Sequence, residues 1–413
     1  MGNSFGFLHV EAEGGFQFTV VDACKAAAID LDQTCSLTFS GQELTSIGNV
    51  ARGELEPKPG ISGIGIWFAM MIFFGVVAIA VVFILLEILF VTKVGPAVSG
   101  YFSDQKKGLF RAAGRTFVLG VADTQTIFVG AFLLGFAGQS KCQLTGYHFT
   151  VAVNQMMIAL SVSVFSVALV RTYWRNPLAA AFRLILSAGC FVGVGLTIFR
   201  KANYAPDWPP PDARKDSAIL LPVACLLETD LRSIAEAQAE QAGADLGFGS
   251  SLTWPVERYF FIALVIAFLI AHLSNLLRFA ERRDYAPARW NHYRRFVTVI
   301  YWSYMIVPPT FTSVWCWVRV YRTRDWVNKS GWIARPNPEM IIWDQGQLFA
   351  MGVLVTIVMN VLTEAYKREG KDERKGGGSF EQVGGDERSE SYPMVSPRES
   401  SAWNTAYDPY RSS

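Results

Sequence analysis

Seven stretches of this chain stay apolar for about the thickness of a bilayer, and that length constrains the fold more than any other feature. A hydrocarbon core about 30 Å deep needs roughly 20 residues of helix to cross it. The stretches are 64–91, 116–138, 147–170, 179–199, 259–277, 296–318 and 340–366. Inside lipid every backbone N–H and C=O must be paired within its own segment, so each stretch is expected as a helix. The expected fold class is therefore all-α, a polytopic seven-helix transmembrane bundle spanning 61–366. Pro308-Pro309 interrupts the sixth stretch and predicts a kink there. Composition agrees: 17% of the residues are charged, against about 25% in soluble domains. The net charge of +2 is spread over short segments, which argues against a nucleic-acid partner.

Orientation follows from Lys and Arg, which gather on the cytoplasmic side. Placing the N-terminus outside puts the more basic segments inside, among them 278–295 with its six arginines, and leaves the C-terminus cytoplasmic. The 278–295 segment is also suited to anionic lipid headgroups. Cys24, Cys35, Cys142 and Cys225 then all fall on the outer, oxidising side. Four cysteines allow three pairings, and the expected ones are Cys24–Cys35, a short local loop, and Cys142–Cys225. Cys190 and Cys316 fall inside helices as small apolar fillers. Asn328-Lys329-Ser330 is an outward N-glycosylation candidate at Asn328. Residues 1–60 form an extracytoplasmic region in which 16–21 could be a short strand. The long outer loop 200–258 has a Pro-rich start, an apolar piece at 218–227 and a helical piece at 230–246. No basic start with a following apolar run lies in the first 30 residues, so no cleavable signal is expected. Gly6 stands where a myristoylation motif needs Ser or Thr. Residues 367–413 are rich in Gly, Ser and charge and read as a disordered cytoplasmic tail.

The candidate site residues are polar groups at membrane depth. Asp123, with Thr124, Gln125 and Thr126, makes the second stretch unusually polar. A carboxylate there is costly unless paired, so it marks either a ligand or ion site or a hydrogen bond between helices. Asp344 and Gln347 share a face at the outer end of the seventh stretch. Asn360 and Glu364 lie lower, at a depth close to Asp123, so Asp123 and Asn360 could meet. Asn154, Gln155 and His272 read first as packing residues. Tryptophans near the segment ends form an interfacial belt. No metalloprotease, hydrolase or phosphate-loop motif occurs, and four histidines support no multi-His site, so no enzyme activity, metal or cofactor is expected.

Several motifs resemble a known group: Asp123-Thr124-Gln125-Thr126, Tyr147-His148-Phe149, Arg171-Thr172-Tyr173-Trp174-Arg175-Asn176-Pro177 with Arg183, and Trp343-Asp344-Gln345-Gly346-Gln347-Leu348. From roughly Arg115 to Leu362 the chain resembles the uncharacterised seven-pass integral membrane proteins of filamentous ascomycete fungi. Their second helix typically carries Asp-Gln-Gln and their seventh Phe-Gly-Gln. This chain departs at Thr124 and Gln345, so the resemblance carries no role to those two. It implies a fungal source and the seven-pass fold; it supplies neither ligand nor reaction.

Seven helices with an outer N-terminus suggest a receptor- or sensor-like protein with a cytoplasmic signalling partner at its inner loops and tail. The third stretch ends in Arg171-Thr172-Tyr173 rather than Asp-Arg-Tyr, and the seventh lacks Asn-Pro-x-x-Tyr. No Lys lies within 340–366, which excludes a retinal Schiff base there. The alternatives are a structural or organising membrane protein and, with Asp123 and Glu87, a transporter. The expected location is a membrane, the plasma membrane ahead of internal secretory ones.

Overall fold

The computed structural model describes residues 9–11, 15–17, 24, 29–75, 78–79, 104–137, 142, 144–170, 173–175, 177–201, 214–227, 229–248, 256–281, 291–341, 352, 355 and 359. They lie in the first of two units, Met1–Tyr366; the second is Lys367–Ser413. The expected tail and most of the seventh stretch, with Asp344, Gln347 and Asn360, lie outside the described residues, as does Glu87.

The first described elements are two antiparallel strands, β1 (His9–Glu11) and β2 (Gly15–Gln17). Helix α1 (Leu31–Thr34) follows, then an antiparallel three-stranded sheet of β3 (Leu37–Ser40), β4 (Glu43–Ile47) and β5 (Val50–Ala51). Leu37, Leu44 and Ile47 face inward from this sheet. Gly48 turns the chain at φ +57°, with the Thr34 carbonyl so close that a Cβ would meet it at 2.8 Å. The sheet is a small addition to a mostly helical chain, and its strands are too short for an alternating pattern to stand out in sequence.

Helix α2 (Pro59–Gly75) enters the bundle, interrupted at Gly63. Then come α3 (Asp104–Ala137), α4 (Gly146–Leu169), α5 (Pro177–Lys201), the short α6 (Val223–Leu227), α7 (Thr229–Gln241), α8 (Val256–Glu281) and α9 (Asn291–Ser330). Most described residues are helical, and four helices are long and apolar enough to cross a membrane: Phe117–Phe136, Gly146–Leu169, Pro177–Phe199 and Val256–Leu277. These match the second to fifth stretches within a few residues. The sixth stretch is part of α9, which runs as one helix through Pro308-Pro309.

Helix α4 is the axis of the bundle. Every residue from Gly146 to Ala168 is buried, and α3, α5, α8 and α9 pack around it. Its neighbours expose large apolar side chains: Ile127 and Leu134 on α3, Leu178 and Ile185 on α5, Leu269 on α8 and Phe311 on α9. That much bare hydrocarbon on helices of this length suits lipid and not water. Glycines let the helices close up. A Cβ on Gly193 would meet Leu133, and one on Gly195 would meet Phe261, each within 3 Å.

A cap sits over one end of the bundle, built from α1, the sheet, α6, α7 and the loop after α9. Asp216 accepts the backbone N–H of Leu44 and the indole N–H of Trp332, and pairs with Arg52, which also pairs with Glu43. Leu55 donates to the Trp332 carbonyl and accepts from Ala334. Cys24 is bonded to Cys142 and Cys35 to Cys225. All four expected cysteines are paired, but the partners are not those expected. Instead of closing a short N-terminal loop, each bridge ties the N-terminal region to the bundle or to the long loop. The reason is tertiary: Gly146 donates to Leu221 and Val223 to Leu144, so Cys142 and Cys225 flank one backbone junction and both receive the N-terminal region.

Candidate functional site

Two polar clusters sit at opposite ends of α4. At the end away from the cap, Asp123 on α3 meets Arg183 on α5. Arg183 donates from Nε to Oδ1 at 2.7 Å and from Nη2 to Oδ2 at 2.8 Å, a two-pronged pairing that fixes both side chains. The pair is about two-fifths exposed on the carboxylate side and one-third on the guanidinium side. A recess beside it is lined by Thr126, Ser163, Val167, Tyr173 and Ser187 and has room for about one water molecule. Thr126 and Ser187 donate to carbonyls in their own helices, which leaves the ion pair as the recess's chemical feature. Burial pushes the Tyr173 hydroxyl up to about 12, with Arg183 opposing and Asp123 adding to the shift. The Tyr173 ring stands edge-on to His272 with centroids 5.3 Å apart, and His272 packs on Phe268. Both imidazole nitrogens of His272 are buried without a hydrogen-bond partner among the described residues.

At the cap end, Glu339 enters the bundle on the loop after α9. It is 1% exposed. Its Oε1 accepts the Lys58 backbone N–H at 2.8 Å and lies 2.9 Å from His148 Nε2; its Oε2 accepts the Tyr147 hydroxyl at 2.8 Å. Thr145, the N-cap of α4, lies 2.7 Å from His148 Nδ1. The imidazole thus bridges the Thr145 hydroxyl and the Glu339 carboxylate through its two ring nitrogens. Burial alone would raise the Glu339 carboxyl; the His148 bond and charge, with Ser62 and the Lys58 N–H, outweigh it and hold it down at about 2. Arg324 on α9 donates to the Glu339 carbonyl at 3.1 Å. Glu339 thus ties the start of α2 and the first turn of α4 through its carboxylate, and α9 through its backbone carbonyl, to the cap loop.

Asp123 is therefore paired by Arg183; Asn360, which could also meet it, lies outside the described residues. Sequence carried a signal for this that went unused. Arg183 lies inside the fourth apolar stretch, and a cation at that depth needs an anion on a neighbouring helix. The Glu339 cluster was missed because Glu339 sits one residue before the seventh stretch, far in sequence from Tyr147 and His148. Gln125, Asn154 and Gln155 are buried against α4 or within it. The amide nitrogen of Asn154 donates to Thr150 in its own helix. Asn328, in the last turn of α9, is half-buried; its Oδ1 accepts from Asn337 at 2.7 Å and its Nδ2 faces the Met340 sulfur at 3.2 Å. Among the described residues no group of three or more His, Cys, Asp or Glu could hold a metal ion. No family model matches the chain, and neither a curated protein nor a solved structure matches it.

Proposed function

We propose that this chain is a seven-pass, receptor- or sensor-like membrane protein whose cap lies on the extracytoplasmic face. The single observation that carries the reading is α4. It begins inside the cap, at a junction flanked by both disulfides, and its other end lines the Asp123–Arg183 recess with Ser163 and Val167. A strain applied to the cap has one stiff, fully buried element along which to reach the far side. Disulfides persist in oxidising compartments, which supports an outer N-terminus, and the location we propose is the plasma membrane ahead of internal secretory ones. The Asp123–Arg183 end then faces the cytoplasm, beside the basic loops and tail that would meet a signalling partner. The second reading, a structural or organising membrane protein, is favoured by the recess, which has room for about one water molecule.

Hydrogen exchange on the full chain in lipid nanodiscs separates the two. Replacing Cys35 and Cys225 by serine should raise exchange in the cap and also several-fold across 170–187, with the middle of α5 unchanged. An effect confined to the cap overturns the sensor reading and leaves the structural one.

A further inference from the structure

We propose that the Asp123–Arg183 recess binds one ordered water, and that this water joins α4 to the ion pair. Three helix faces converge on the recess. Leu119, Ala122, Asp123 and Thr126 recur on one side of α3, Ser163 and Val167 on one side of α4, and Arg183 and Ser187 on one side of α5. Tyr173, in the turn after α4, completes the wall. The space between them takes about one water molecule.

Two hydroxyls in that wall are unclaimed. Ser163 is 3% exposed and Tyr173 7%, and neither hydroxyl has a hydrogen-bond partner among the described residues. Buried polar groups are rarely left so, and these two line the same small space. The other hydroxyls there are committed: Thr126 donates to the Ala122 carbonyl and Ser187 to that of Arg183. The side chains of Asp123 and Arg183 bond to each other and to nothing else among the described residues. Helix α4 therefore has no direct hydrogen bond to the pair, although Ser163 stands in the same wall.

The chemistry names the ligand. The carboxylate disfavours an anion and the guanidinium a cation, so the ion pair favours a small neutral guest. Water can donate to the Asp123 carboxylate and to the Ser163 oxygen and accept from the Tyr173 hydroxyl. Those are three partners, where an ordered water typically has two to four. Tyr173, pushed up to about 12, keeps its proton at neutral pH and so remains a donor. Leu119, Ala122 and Val167, the apolar part of the wall, offer no competing side-chain partner. As a link between α4 and the pair, the water rests on the sensor reading; its presence in the recess does not.

Thermal unfolding of the full chain in lipid nanodiscs tests the proposal, with Ser163→Ala and Tyr173→Phe made singly and together. Groups that share one water are coupled although they do not touch each other. Each substitution should lower the melting temperature, and the double variant should lose clearly less than the sum, because the first change already loosens the shared water. Additive losses, or no loss from either, would mean that no water joins them and would overturn the proposal. Exchanging choline chloride for sodium chloride should change the melting temperature equally in the unaltered chain and in Ser163→Ala. A sodium-dependent rise that Ser163→Ala abolishes would put a cation in the recess and overturn it as well. The hydrogen-exchange experiment on the cysteine variants leaves both hydroxyls in place, so the water and the sensor reading can fail separately.

Discussion

Glu339 shows how one residue decides the join between cap and bundle. Its carboxylate is nearly free of solvent contact, yet backbone, phenol and imidazole groups keep it ionised. Because its folded value is depressed from 4.5 to about 2, the charge stabilises the fold above pH 4.5 and ceases to do so as pH falls through 2. The displacement corresponds to on the order of 3 kcal/mol. Thermal unfolding of the detergent-solubilised protein should therefore show Glu339→Gln less stable by that order at pH 6, with the gap closing between pH 4.5 and 2. A gap that stays constant with pH would show that shape, and not charge, holds the loop. Arg183 teaches the complementary lesson. Its place inside an apolar stretch demands an anion on some neighbouring helix, and its distance from Asp123 shows which one.

Among the elements, α4 has the strictest demands because it touches the rest on every side. Its first turn passes under the long loop, where Gly146 has no spare room. A Cβ there would meet Leu226 Cδ1 at 2.8 Å and the Ile219 carbonyl oxygen at 2.9 Å, and the second is backbone that cannot swing aside. Gly146→Ala should destabilise by about 1–3 kcal/mol, as overpacking generally does. Gly130→Ala on α3, with nothing within 4 Å of the new methyl, should be neutral or slightly stabilising. Melting temperatures of the two variants in one detergent check the contrast. Equal effects would mean that helix propensity and not the junction sets the cost. The spans of α3, α4, α5 and α8 were legible as apolar runs of the right length. The burial of α4 was not, because its Thr, Asn, Gln and Ser residues look no more internal than those of its neighbours.

For the molecule as a whole, the two disulfides are the long-range constraint. They join residues 118 and 190 apart in sequence, and removing a native bridge typically costs roughly 2–5 kcal/mol. Non-reducing digestion with mass spectrometry should recover peptides joined through Cys24–Cys142 and Cys35–Cys225, and reduction should lower the melting temperature. A peptide joining Cys24 to Cys35 would sink the described cap. The same bridges give the sensor reading its route, since they attach the N-terminal region to the top of the buried helix and not to itself.

Sequence by itself determined that the chain makes long apolar helices, roughly where four of them lie, and that Asp123 stands at a depth where it needs a partner. Those features follow from run length and from the cost of burying charge, both local to a segment. Which cysteines pair, that Arg183 answers Asp123, that Glu339 reaches His148 and Tyr147, and that α4 has no lipid-facing side were decided only by tertiary structure. Each depends on groups tens to hundreds of residues apart meeting at contact distance, and no spacing along the chain encodes that.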